Sequence, residues 1–122
     1  MSDARTKDMT VPVTITFRSM DSSAAVEAAI ERGVARLVGS HDRIERCEVV
    51  IDLPHRHGRQ GNIFHVEIHL AVPHRLIAVS ADPDLNHAHE DVYVAIGDAF
   101  RAARRQLQDH IRIQRGEVKI HA

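Results

Sequence analysis

Tryptophan is absent from this sequence of 122 residues, tyrosine occurs once and phenylalanine three times. So few aromatics argue against the stacking platforms on which RRM-type sheets and single-strand binders rely. They also leave the core to Val, Ile, Leu and Ala. Cysteine occurs once, as Cys47. That excludes a disulfide within the chain and Cys-rich zinc motifs, and the default compartment is a reducing cytoplasm. No apolar run approaches the roughly 20 residues of a membrane helix, and the N-terminus lacks a signal-peptide core. The formal net charge of −1 argues against a generic polyanion binder.

What is present is a chain of one-domain length with 43% hydrophobic residues, enough for a modest core under a single sheet. Its charge is unevenly spread. Between Ala99 and Ala122 six basic residues face two acidic ones, so this stretch carries +4 and the first 98 residues −5. Such asymmetry points to one basic binding surface on a nearly neutral body.

Residues 1–10 are polar and unpatterned and read as a flexible tail. From Val11 to Arg18 apolar and polar residues alternate, the pattern of a half-buried strand, with Pro12 suited to its first residue or an edge position. Asp21-Ser22-Ser23 is helix-start chemistry, and Val26, Ile30, Val34 and Leu37 recur at helical spacing. This predicts a helix over 22–39 with Gly39 as its C-terminal cap. Further alternations at Cys47–Leu53, Phe64–Val72 and Leu76–Ala81 predict three strands. Pro54–Gly61 and Asp82–His89 read as loops and Pro73-His74 as a tight turn. Val92, Ile96, Ala99, Phe100, Ala103, Leu107 and Ile111 form the apolar stripe of a second helix from about Glu90 to Ile113. The expected fold is therefore α+β, ordered β-α-β-β-β-α. It has a four-stranded mixed sheet and both helices on one face. Residues 11–113 form the domain and 114–122 a tail or linker.

The leading candidate for function is the arginine face of the second helix. Arg101, Arg105, Gln108 and Arg112 recur at spacings of three and four, flanked by Arg104. Guanidinium groups arrayed along a helix edge bind phosphates bidentately. A merely solvated helix face is the competing explanation; with a single acid, Asp109, counted near four arginines, ion pairing within the helix explains little of the run. Arg56 and Arg59, beside Gly58 and Gly61, make the first loop a secondary phosphate contact or simply a polar hairpin loop. Arg32 and Arg36 lie on the first helix, where taken alone they read as solvated surface.

Ten histidines are unusual for this length. His65-x-Glu67-x-His69 places three ligand types on one strand face. Alternate strand residues are about 6.8 Å apart, however, so His65 and His69 are roughly 13 Å apart, too far for one ion. No metal site or cofactor is expected; the face reads as a titratable surface whose protonation would strengthen RNA binding on acidification. No catalytic residue emerges either. His65-Val-Glu67 echoes the zinc deaminases without their downstream Cys pair. There is no P-loop, dinucleotide glycine fingerprint or nucleophile elbow, and Cys47 reads as a core thiol.

Asp91-Val-Tyr93-x-Ala95-Ile96 and Arg105-Gln106-Leu107-x-x-His110 resemble the last helix of the bacterial hibernation-promoting factor and ribosome-associated inhibitor family. Ala78-Val-Ser80-Ala81 resembles its H-A-S-A strand and His41-Asp42-Arg43-Ile44 its F-D-R-I turn. The resemblance runs from about Val13 to Arg112. It implies a β-α-β-β-β-α domain similar to double-stranded RNA-binding folds. It also implies binding to small-subunit ribosomal RNA in the mRNA and tRNA channel, with translation inhibited sterically in stress or stationary phase. Carried across by position, Arg36 and Arg105 match basic residues of the family and His110 its histidine. Gly33, Ala102, Asp109 and Ile111 stand where the family tends to have lysine, and Arg32, Arg101, Arg104 and Arg112 lie within a turn of those positions. Some relatives carry a dimerising tail or a second domain, and Ile113–Ala122 looks like such a junction.

The expected function is thus a non-enzymatic cytoplasmic ribosome hibernation factor. Its partners are the small subunit and its RNA, with no membrane or small-molecule substrate. The RNA contacts are Arg32, Arg36, Arg56, Arg59, Arg101, Arg104, Arg105, His110 and Arg112. A second reading, from another class, is a small stress-related interaction or metal-binding protein using the histidine-rich sheet face.

Overall fold

A computed structural model describes residues 11–53, 56–57, 61–81 and 91–116. Strand β1 (Val13–Arg18) leads into helix α1 (Ala24–Ser40), followed by β2 (Arg46–Asp52), the two-residue strands β3 (Arg56–His57) and β4 (Gly61–Asn62), β5 (His65–Val72), β6 (Arg75–Ala81) and helix α2 (Val92–Gln114). The main sheet has the order β1-β2-β5-β6. β1 and β2 are parallel, as a right-handed crossover through α1 permits, and the other two pairings are antiparallel. Fold class and element order are as expected.

Register decides which face is buried. Ile15, Val49, Ile68 and Val79 form one row across the sheet, and Phe17, Ile51, Val66 and Ala81 the next. Both rows face the helices and join one core with Val26, Ile30, Val34 and Leu37 of α1 and Ala95, Ile96, Ala99, Ala103 and Leu107 of α2. Because side chains alternate with period two, the opposite face collects Thr14, Glu48, His69 and Ala78 in one row and Thr16, Val50, Glu67 and Ser80 in another. β1 is an edge strand, which accommodates Pro12; its carbonyl still accepts a hydrogen bond from the Cys47 N–H at 3.0 Å.

Three local expectations are corrected. The segment read as the loop Pro54–Gly61 contains part of a ribbon, since Arg56 pairs with Asn62 and His57 with Gly61. Alternation cannot reveal strands of two residues. α1 passes through Gly39 and ends at Ser40; its cap is His41, with extended backbone, whose N–H donates to the carbonyls of Leu37 and Val38. Among the described residues the glycine with positive φ is Gly116, at +77°, just beyond α2, where a left-handed residue closes a helix end. α2 starts at Val92, two residues after Glu90, because the Asp91 carboxylate, accepting from the Tyr93 N–H at 2.8 Å, caps it. The Asp82–His89 loop, the tail 1–10 and residues 117–122 lie outside the described residues.

Candidate nucleic-acid interface

The two helices lie side by side on the sheet and touch. On α1, Ala29, Arg32, Gly33, Arg36 and Leu37 fall at helical spacing on one face. On α2, Tyr93, Ile96, Gly97, Phe100, Arg101 and Arg104 do the same. These two faces line one groove of about 490 Å³. Four guanidinium groups from two helices thus border one depression, over a floor that includes Gly33 and Phe100. Phe100 is buried, and Gly33 leaves room for its ring.

Sequence spacing alone divides the basic residues differently. Arg104, expected only to flank the set, lies with Arg101 on the groove. Arg105 is exposed but lines neither this groove nor the second one described below. Arg32 and Arg36 cease to be scattered surface charge, because α2 sets Arg101 and Arg104 across from them. The expectation of a single acid near these arginines is also corrected. Arg101 pairs with Asp98 one turn earlier, and Arg112 lies 3.8 Å from Asp109. Both pairs are solvent-exposed, where competition with water leaves such contacts weak, and the Arg101 side chain remains 68% accessible. No carboxylate among the described residues forms an ion pair with Arg32, Arg36, Arg104 or Arg105.

Beyond the groove, toward the C-terminal ends of both helices, lies a second depression of about 590 Å³. Arg43, Arg112, Arg115 and His41 line it together with Asp42, Asp109 and an apolar wall of Val72, Pro73 and Leu107. His110 also belongs to this wall, but it is only 8% exposed. It therefore contributes to packing more than to a projecting contact, unlike the arginines around it. The contributions of Arg43 and Arg115 were not evident in the sequence, because they come from a turn and a helix end that only the fold brings together. Arg56 belongs to β3, and Arg59 lies outside the described residues.

The histidine-bearing face is on the far side of the sheet from the groove. His69 there is flanked by two carboxylates, Glu48 at 3.6 Å and Glu67 at 3.8 Å. This face lies away from the helices and carries acidic side chains beside its histidine. No group of three or more His, Cys, Asp or Glu among the described residues is arranged to hold a metal ion.

The sequence pattern of the family described as "Sigma 54 modulation protein / S30EA ribosomal protein" matches residues 13–115. The chain belongs to this family. The match spans both helices and the whole main sheet, so the hibernation-factor resemblance of the last helix extends to the domain. Among solved structures, a ribosomal subunit interface protein from Coxiella burnetii is similar, with a TM-score of 0.64 at 16% identity, over 82% of this chain and 97% of that one. The N-terminal domain of Protein Y from Thermus thermophilus is similar at a TM-score of 0.62 and 22% identity, over 82% of this chain and 99% of that domain. At such identities the likeness is one of fold. No curated protein matches the chain. The S30EA family is ribosome-associated, and no helix among the described residues is long and apolar enough to cross a membrane.

Proposed function

We infer that the chain is a cytoplasmic ribosome hibernation factor. It binds small-subunit ribosomal RNA in the channel for messenger and transfer RNA and inhibits translation by occupying it. The observation that carries this reading is the convergence of Arg32 and Arg36 with Arg101 and Arg104 on one groove between the helices, in a chain whose family is ribosome-associated. Guanidinium groups anchored on two packed helices start from a set spacing, so less backbone freedom is lost on binding phosphates than with an unstructured basic tail. The body behind them, a sheet with its helices, supplies the bulk that excludes other RNA. The work is done by positioning and obstruction and requires no catalytic group. Named relatives with this fold are a ribosomal subunit interface protein and Protein Y, in keeping with this function.

The test is co-sedimentation with isolated small subunits across a salt series. Binding is expected to weaken steeply with added salt, since each neutralised phosphate releases counterions. A folded Arg32→Glu, Arg104→Glu double variant is expected to lose co-sedimentation. Undiminished binding by that variant would overturn the assignment.

A further inference from the structure

Tyr93 is the sole tyrosine of a chain that has no tryptophan, and the fold sets it on the wall of the arginine groove. It stands on the same face of α2 as Ile96, Gly97, Phe100, Arg101 and Arg104. Those residues follow at the three- and four-residue steps that keep side chains on one side of a helix. Phe100 is drawn into the core, but Tyr93 is 49% exposed. It is held at the start of α2, where its own N–H is tied to the Asp91 cap at 2.8 Å. Along the helix axis it stands about 12 Å before Arg101 and about 16 Å before Arg104, from a rise of 1.5 Å per residue. The groove therefore has an aromatic ring at one end and guanidinium groups across from it and further along.

We propose that Tyr93 is a stacking platform for an unpaired RNA base, so that this groove takes a single-stranded segment rather than the flank of a duplex. The proposal rests on the RNA-binding function inferred above and specifies the kind of RNA. A phosphate clamp alone needs no aromatic surface; arginines suffice for it. An A-form duplex keeps its bases stacked inside and offers an aromatic side chain little but backbone and ribose edges. An unpaired nucleotide presents the face of its base, and stacking against an aromatic ring gains affinity with little dependence on which base it is. A ring at the end of a row of guanidinium groups meets both needs: the arginines follow the backbone and the ring receives the base. A lone exposed aromatic is ordinary on protein surfaces; what singles this one out is its alignment with Ile96, Phe100, Arg101 and Arg104 on one wall of a basic groove. Low aromatic content argues against a multi-ring platform, and one ring beside four arginines is a different device from a sheet of stacked aromatics.

Because the chain contains one tyrosine and no tryptophan, its near-ultraviolet emission reports on Tyr93 alone. The full chain would be titrated with an unstructured single-stranded RNA oligonucleotide, a blunt RNA duplex of equal length and inorganic polyphosphate. Emission would be corrected for absorption against N-acetyltyrosinamide. The single strand is expected to quench emission on binding, and the duplex and polyphosphate to leave it nearly unchanged. Tyr93→Phe should bind the single strand as the parent does. Tyr93→Ala should bind it roughly 5- to 150-fold more weakly, the range for loss of one base–aromatic stack, with duplex and polyphosphate affinities unaltered. Equal quenching by all three ligands, or a folded Tyr93→Ala protein that keeps full single-strand affinity, would overturn the proposal. If single-strand binding survives Tyr93→Ala but is lost in the Arg32→Glu, Arg104→Glu protein, the stacking role alone fails. If the parent binds neither RNA nor small subunits, the inferred function fails with it.

Discussion

Gly33 of α1 lies against Phe100 of α2 so closely that a Cβ on the glycine would sit 2.7 Å from the ring's Cε2 and 2.8 Å from its Cδ2. No real pair of carbons tolerates that approach, so the glycine is what lets the helices close over the ring. The resemblance noted in the sequence implies a lysine at this position in relatives. Here the basic residues on the same helix are Arg32 and Arg36, one on each side of the contact.

Replacing Gly33 with alanine therefore meets two opposed effects. Helix propensity favours alanine by about 1 kcal/mol, while overpacking a filled interior costs about 1–3 kcal/mol. The expected result is a net loss of up to ~2 kcal/mol, read as a lower urea midpoint. Its cause is tested by repeating the substitution in a Phe100→Leu background, where the smaller side chain leaves space for the new methyl group. The penalty should shrink by at least ~0.5 kcal/mol. Strict additivity of the two substitutions would show that the ring is not the obstacle.

Cys47, in the middle of the sheet between Val13 and Leu70, has its thiol pushed up from 9.0 to about 12 by burial, with the neighbouring Glu48 carboxylate adding to the effect. A thiol that ionises later in the folded than in the unfolded chain leaves stability unaffected below pH 9. Between about 9 and 12 the unfolded state alone releases the proton, so stability falls as pH rises, by up to ~1.4 kcal/mol per pH unit. The difference in urea stability between the parent and Cys47→Ala, followed from pH 8 to 11, should display this slope. Thiol reagents should label the parent only through unfolding, because the buried thiol is not ionised. Labelling of the native protein at the rate of a free thiol would contradict the assigned burial.

Asp98 pairs with Arg101 at the edge of the groove and so competes with any phosphate for that guanidinium. Asp98→Asn removes the negative charge while keeping a hydrogen-bonding side chain of the same shape. Small-subunit affinity should rise roughly two- to fivefold at low salt, the scale of an exposed ion pair. The gain should fade as salt is added. Unchanged or weaker binding of a folded Asp98→Asn protein would indicate that the pair orients Arg101 productively instead of sequestering it.

The two helices and the four long strands were legible in the sequence because periodicity follows from which side chains avoid water. Val13, Ile15 and Phe17 must share a face whatever their partners are, and so must Ala99, Ala103 and Leu107. Capping at Ser23 was legible for the same local reason, since its hydroxyl meets the N–H of a residue three positions on. The family was legible too, through short runs such as Asp91-Val-Tyr93 and Arg105-Gln106-Leu107. Helix ends were read less accurately: Gly39 looks like a cap, but the cap that formed is at His41, because a terminus depends on where the following chain must go.

Which basic residues share a groove was decided only in three dimensions. Taken along the chain, Arg101, Arg105 and Arg112 form one row and Arg32 and Arg36 an unrelated pair. Packing α1 against α2 through Gly33 and Phe100 joins Arg32 and Arg36 to Arg101 and Arg104, leaves Arg105 apart, turns His110 inward and puts Tyr93 on the groove wall. Local spacing determines the face of a helix on which a charge lies. Which other face it meets depends on the contact between helices distant in sequence, and here that contact is set by the absence of a single side chain.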